Sequence, residues 1–544
     1  MTKWNKQHTM PHNRSTRQRD PRGVQAWLIG TGVASFATAV HLIHDARVPG
    51  SHIHILDVDN KFDTDQDSYG DAETGYNLQA EFLPFFLEPC TADLISCIPS
   101  SSKIYASLLD EIVHYENKTA LRRCGSAGLT VCDGRGMRTV RHPGAYLRMQ
   151  DRKDMLQVML ENEVVLDSKR VDECFGKSFF ESDLWHLFSV KYALQPWHSA
   201  VEFHRHLCKY IEAAQKGDIH GPAHAQYTPT QSILQPIQRY LSDKGVDFRS
   251  GVTVSNLQMF PEHDPEYVSS IECVERGNRV VIPVRPTDIV ITTLGSPTSG
   301  SIFGCNEEPP PPISSKAEKI MNGHWSLWFK LAKQSPEKFG LPAAFCTHMP
   351  ESKMESFTVT MRGAQPMQIY SWLRQTFNGG SFLSISQSPW SLCICLPSQP
   401  VLPKQPGDVF VLWGYALAPA RQGDFIKKPM CSCSGEEILS ELLSHIGFPS
   451  DLMLSSAVTI PRLMPLATSA LLRQTAGDRP EVIPPRTKNI AVVGQFCKLR
   501  DETASGMEHS VRSARMAVYS LMGVQGHFPK VRRNVLVEKF GKHA

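Results

Sequence analysis

The chain has 544 residues, 41% of them hydrophobic and 20% charged, with a formal net charge of +3. That length sets two or three domains as the expectation, and the near-balanced charge, with no Lys/Arg stripe interleaved with aromatics, excludes a nucleic-acid-binding composition. Fourteen cysteines without a CxxC pair exclude a disulfide framework and a zinc ribbon; they read as reduced, mostly buried thiols of an intracellular protein.

Residues 1–23 carry Lys3, Lys6, Arg14, Arg17, Arg19 and Arg22 against Asp20, with no apolar core before the first strand. This reads as a basic disordered tail rather than a secretory signal. The next stretch, 24–57, is strand, glycine turn, helix, strand and acid. Val24 to Ile29 is a short apolar run, as for a strand buried on both faces. Gly30-Thr31-Gly32 follows directly, and Ser35 stands where the dinucleotide fingerprint has its third small residue. Val33, Ala37, Val40 and Leu42 recur at roughly helical spacing. His52 to Leu56 is the second strand, and Asp57 ends it. This order is that of a nucleotide-binding βαβ unit: glycines let the backbone approach a pyrophosphate, the helix N-terminus offers free N–H groups, and the acid accepts from ribose hydroxyls.

Residues 57–75 are acidic and Gly-rich, a loop. Phe82 to Ile98 has a helix-compatible apolar core, 103–118 is amphipathic, and 151–165 predicts a helix with Asp151 as its N-cap. The aromatic-rich run 178–215 predicts two helices separated at Pro196. From 229 a helix to Gly245, strands at 246–260 and a buried strand at 288–294 follow. EEPPPP (307–312) reads as a stiff linker, and Phe382–Ile385 and Val409–Tyr415 as strands. At 489–521 a buried strand ends at Gly494, and Gly506 precedes a helix. No apolar run approaches the roughly 18 residues of a membrane span.

With these residues in hand, the chain resembles the oleate hydratase, or myosin-cross-reactive antigen, family from about 24 to 523. The specific pieces are LIGTGVASFATAVHLIHD (28–45), QPWHSAVEFHR (195–205), QYTPTQSILQPI (226–237), DIVITTLGS (288–296), GDFIKKP with SGEEI (423–438), MPLATSALLRQTAGDRPEVIP (464–484) and VVGQF with MEHSVRSARMAVYSL (492–521). The resemblance implies an α/β fold, of the two-dinucleotide (Rossmann-like) FAD-binding type, with inserted, largely helical substrate regions. The FAD-binding part would be 24–60, 229–305 and 460–523; the fatty-acid regions 61–228 and 306–459; and 524–544 a basic C-terminal tail. The implied reaction is addition of water to a cis double bond of a long-chain unsaturated fatty acid, with FAD required and no net redox change. The implied cofactor-binding residues are Gly30, Gly32, Ser35, Asp57, Gly494, Glu508 and Arg512; Gln226 and Thr468 would lie near substrate. For Glu508 and Arg512 the plain alternative is a surface ion pair, and for Thr468 a hydroxyl that satisfies local backbone groups. The tail 529–544, with its basic and apolar residues, fits peripheral contact with an anionic bilayer, and family members are commonly homodimers.

Hydration of an isolated alkene needs a desolvated acid on one face and an activated water on the other. Here the sequence departs from the family. Its acid position holds Leu83, which has no proton to donate, and its tyrosine position falls at or beside His206. Glu81 or Glu88 is the replacement acid to consider. His206 is expected as a group titrating near neutral pH, or else as a partly exposed helix residue. A metal site from His198, His204 and His206 lacks a supporting Cys or carboxylate pattern, so no metal is expected. Two other readings stay open: a flavin and fatty-acid binder that has lost hydration, and an FAD oxidoreductase sharing the nucleotide fold.

Overall fold

The computed structural model describes residues 18–56, 70–78, 87–102, 104–120, 129–134, 136–215, 227–313, 321, 323–377, 382–448 and 451–526. Asp57, Glu81, Leu83, Gln226, residues 1–17 and the basic segment 529–544 lie outside these.

Five short strands form a fully parallel sheet in the order Ile490–Val493, Ile289–Thr293, Ala26–Ile29, Ile53–Leu56, Asp247–Arg249. Ala26–Ile29 and the edge strand Ile490–Val493 are apolar and buried along their whole length, and Ile289–Thr293 is apolar up to its two closing threonines, so the alternation of a half-exposed strand is absent. The helix Val33–His44 packs against the helix Met507–Met522, and their small residues Ala34, Ala37, Ala514 and Ala517 are buried in one shared core. An antiparallel sheet of Val252–Phe260, Tyr267–Glu275 and Asn278–Pro283 adjoins this unit, and the helix Gly323–Gln334 packs on its first strand. The class is therefore α/β with a Rossmann-like parallel sheet, as the sequence predicts.

The insertions hold the expected helices. Asp183–Tyr192 and Ala200–Gln215 are separated around Pro196, and Phe175, Phe179, Trp185, Phe188 and Phe203 build the apolar core between them. With them comes an eight-stranded sheet, of which the sequence marked only two strands. Its order is Ile302–Phe303, Ala457–Met464, Met354–Arg362, Val409–Ala416, Leu392–Cys395, Phe382–Ile385, Leu129–Asp133, Gly136–Val140. The pairing is antiparallel except where Phe382–Ile385 meets Leu129–Asp133. Residues 129–140 thus extend a sheet whose other strands come from the second half of the chain, a long-range pairing that local patterns do not encode.

One cap differs from expectation. The helix predicted at 151 starts at Met149, and Asp151 is not its N-cap. Its carboxylate reaches back from the third helical position to the N–H of Arg148 at 3.3 Å and accepts the Ser178 hydroxyl at 2.7 Å, the acid half of a capping box.

Candidate functional site

The carboxyl edge of the parallel sheet gathers the fingerprint turn and the closing turn. Gly30 follows the first strand with φ +104°, and a Cβ there would lie 2.1 Å from Thr293 Oγ1 and 2.8 Å from the His324 ring. Gly32, with φ +139°, is the N-cap of Val33–His44; a Cβ on it would meet nothing within 4 Å. So Gly30 is fixed by crowding and Gly32 by backbone conformation beside open space. No described side chain caps this helix, and its first turn holds no acid. Uncapped N–H groups facing open space fit the pyrophosphate of a dinucleotide. Ser35 is 2% exposed, packed inward as a small residue at the helix–sheet contact. Gly494 ends the strand Ile490–Val493 with φ +95°, and its built Cβ lies 3.7 Å from that of Ala34, which joins the two turns in space.

Next to these turns lies a buried ionic cluster. The helix Ala200–Gln215 contributes Lys209, whose ammonium donates to Glu88 at 3.0 and 2.8 Å and also to Glu502. Arg512 donates to Glu508 at 2.9 Å and sits 3.5 Å from Glu502. Glu508 also accepts the N–H groups of Cys90 and Thr91 and the Thr91 hydroxyl, at 3.0, 2.8 and 2.9 Å. The surface ion pair that was the plain alternative for Glu508 and Arg512 is instead a buried one: they are 2% and 5% exposed, and the acid doubles as the cap of the helix Pro89–Ser96. Three carboxylates face two cations here. Burial raises the Glu88 pKa, Lys209 opposes that rise, and Glu502 and Glu508 add to it. Burial works against the Lys209 ammonium, but Glu88 and Glu502 outweigh it and raise its pKa.

His206 departs from both expectations. It is 4% exposed, stacked on Tyr192 with ring centroids 4.0 Å apart, and its Nε2 is 3.2 Å from Ser505 Oγ. Burial, then Lys209, Arg205 and Lys191, drive its pKa well below the ordinary value, so the ring is neutral near pH 7 instead of titrating there. The other two histidines of the candidate metal set have other partners. His204 Nε2 is 3.4 Å from Cys208 Sγ, and His198 Nδ1 accepts the Gln195 N–H at 3.0 Å. Among the described residues the one group of His, Cys, Asp or Glu with ligand atoms close enough for an ion is Glu88, Glu502 and Glu508, and Lys209 and Arg512 already pair with it.

Thr468 donates its hydroxyl and its N–H to the Ser352 carbonyl at 3.1 and 3.0 Å, so its side chain is engaged with local backbone. The run 464–484 is tied to the closing turn by Arg479, which donates to the carbonyls of Ala470 (2.6 Å) and Gln495 and to the side chain of Gln474. Burial lowers its pKa to about 10, still far above neutrality. Sequence reading missed Arg479, His324, Lys209 and Glu502. His324 lies in an unremarked stretch after the proline run, and Lys209 is one basic residue on a helix like many others. Only the GDRP context of Arg479 marked it as part of a specific run.

Known proteins resemble this chain over most of its length. An oleate hydratase of Streptococcus pyogenes serotype M49 (strain NZ131) is 29% identical over 531 residues, covering 94% of this chain and 88% of that protein. A linoleate hydratase of Lactiplantibacillus plantarum is 26% identical over 547 residues, covering 92% and 94%. Among solved structures, an oxidoreductase from Methanosarcina mazei is 12% identical with a TM-score of 0.47, covering 90% of this chain and 99% of that one. A family model matches residues 23–519, spanning the fingerprint turn, the ionic cluster, the eight-stranded sheet and the closing helix: the chain belongs to the MCRA family.

Proposed function

We propose that this chain is an FAD-dependent fatty acid hydratase, which adds water to a cis double bond of a long-chain unsaturated fatty acid with no net redox change. The observation that supports it is the reach of the family match across 23–519, through the insertions as well as the nucleotide turn. A shared nucleotide fold alone would match the parallel sheet and leave the insertions unmatched. In this reading Gly30, Gly32, Ser35, Asp57, Gly494, Glu508 and Arg512 form or support the FAD site, and Gln226 and Thr468 lie along the fatty acid. Bound there, the flavin adds a planar, polarisable group that orders the site, with no net electron transfer.

The chain's own groups then set the proton chemistry. A neutral His206 accepts a hydrogen bond from water and does not serve as an acid at neutral pH. Glu81 is the acid nearest in sequence to Leu83. Glu88 is the described carboxyl held by Lys209, three residues after His206 on the same helix, and its raised pKa keeps it closer to protonation than an ordinary glutamate.

A second reading, a flavin and fatty-acid binder without hydration, is favoured by one observation. Lys209 and Arg512 already engage Glu88, Glu502 and Glu508, and Leu83 has no acidic proton. Incubation of the FAD-loaded protein with oleic and linoleic acids, followed by mass spectrometry, separates the two. A product heavier by one water supports the hydratase. No product together with saturable fatty-acid binding rejects it.

A further inference from the structure

The helix Met149–Leu160 is apolar on two sides but covered on one. Val158 and Met159 are buried, in the core they share with Phe175 and Phe179. Another row, Met149, Lys153, Leu156 and Leu160, runs along the helix at helical spacing, and all four side chains are exposed. Met149, Leu156 and Leu160 are 71%, 49% and 44% exposed. More follow at both ends: Tyr146 before the helix is 91% exposed, and Val164 and Val165 in the short helix after it are 78% and 47% exposed. Of the fifteen large apolar side chains exposed among the described residues, six lie between 146 and 165. Single exposed apolar residues are ordinary, whereas a concentration of them marks a contact surface.

The charges of this stretch are sorted as well. Arg141, Arg148, Arg152, Lys153 and Lys169 are exposed, and every acid between 141 and 170 is buried or half-buried. Each of those acids is engaged within the chain. Asp151 holds the Ser178 hydroxyl, Asp154 accepts from the Gln150 side chain at 2.6 Å, and Glu161 accepts the Asn162 N–H at 3.2 Å. Glu163 pairs with Arg205 at 2.7 Å, and Asp167 accepts the Ala476 N–H at 2.9 Å. The Arg152 guanidinium donates to the carbonyls of Leu147 and Ala145 at 3.1 and 2.9 Å, which fixes the cation beside the apolar row without neutralising it.

The outward face is therefore apolar and positive. A second copy of this chain fits it poorly, because a two-fold contact lays the same patch on itself and sets Arg152 and Lys153 against their own copies. A partner that is anionic at its surface and apolar beneath matches both features. We propose that this face of Met149–Leu160 is a docking surface for an anionic lipid bilayer, with Met149, Leu156 and Leu160 entering the boundary between headgroups and acyl chains. The long stems of Arg152 and Lys153 let their charged heads stay beside the lipid phosphates. This folded face is separate in sequence from the basic segment 529–544. The contact does not depend on the hydratase reading; with that reading, it sets the protein where long-chain acids partition.

The test is sedimentation of the full chain with vesicles of phosphatidylcholine alone, or with about 30% phosphatidylglycerol, at about 0.1 M salt. The parent should bind the anionic vesicles at least about tenfold more tightly than the neutral ones. Replacing the apolar row by Met149→Ser, Leu156→Ser and Leu160→Ser together should weaken that binding about tenfold, and Lys153→Glu about fivefold. Circular dichroism and thermal midpoints of the variants should stay with the parent, because every replaced side chain is exposed. A measurement without substitution accompanies these: amide hydrogen exchange of the parent should slow within 141–165 when anionic vesicles are added. Absence of binding by the parent, or equal binding to both vesicle types, overturns the proposal. Parent-like binding by the triple variant, or unaltered exchange in 141–165, overturns it by assigning the contact to another surface. Light scattering that finds a dimeric parent and a monomeric triple variant overturns it in favour of a subunit interface.

Discussion

The Glu508 carboxylate accepts both the backbone N–H and the hydroxyl of Thr91, at 2.8 and 2.9 Å, across 417 residues of sequence. It thereby pins the start of Pro89–Ser96 to the first turn of the closing helix, and Arg512 neutralises it from one turn further along. Glu508→Ala removes a helix cap and takes from the buried Arg512 guanidinium the nearer of its two carboxylates, leaving Glu502 at 3.5 Å. The expected cost is about 3–5 kcal/mol, read as a lowered urea midpoint. Glu508→Gln keeps an acceptor for Thr91 and should lose less. Equal stability of the alanine variant and the parent would show that the cluster is not holding the helix.

Glu355 tests the second sheet. It lies in the strand Met354–Arg362 at 0% exposure, both carboxyl oxygens lack partners, and burial raises its pKa to about 8, with Lys353 opposing. The folded state holds this proton more tightly than the unfolded chain. Its contribution is therefore complete below about pH 4.5 and is lost as pH rises through about 8. At pH 8 the loss relative to pH 4 is on the order of 4 kcal/mol. Glu355→Gln, which does not titrate, should remove that slope from the difference in stability between variant and parent. Parallel pH curves for the two would contradict a buried neutral acid.

His206 predicts the opposite sign. Its folded pKa is depressed, so its contribution is present above the ordinary value of about 6.5 and is lost as pH falls below it. His206→Phe retains a ring against Tyr192 and has nothing to protonate. The parent should lose stability faster than this variant between pH 6.5 and 5, as followed by thermal midpoints. A parent that shows no excess acid sensitivity would argue that the imidazole is accessible to solvent.

The two fingerprint glycines should fail differently. Gly30→Ala drives a Cβ into Thr293 and His324, where backbone and strand are fixed, so loss of folded protein or of flavin binding is expected. Gly32→Ala meets no neighbour and carries only the strain of φ +139°, about 1–2 kcal/mol. Its fold should persist with weakened flavin affinity, measured by fluorescence titration. Equal outcomes for the two would remove the distinction between crowding and conformation.

Leu83 bears on the chemistry. If absence of an acid at that position limits hydration, Leu83→Glu, alone or with His206→Tyr, should raise hydroxy-acid formation in the mass-spectrometric assay. Unchanged rates in both variants would place the limit elsewhere.

Much of the parallel sheet was legible from local pattern. The apolar run 24–29, the Gly30–Gly32 turn, the strand ending at Gly494 and the helix after Gly506 are each encoded by neighbours a few residues apart, and they form where expected. The eight-stranded sheet was not legible in the same way. Its hairpin at 129–140 pairs with Phe382–Ile385, and short buried strands lack the alternation that would announce them. The site divides along the same line. Sequence alone determined which glycines must turn the chain and that Leu83 has no acidic proton to give. Only the tertiary structure decided that His206 is buried and neutral, that Glu508 and Arg512 are an interior pair, and that Lys209, His324 and Arg479 belong near the crevice. The reason is physical: φ and volume act on a residue and its neighbours, whereas burial and charge are properties of what the rest of the chain brings to that point.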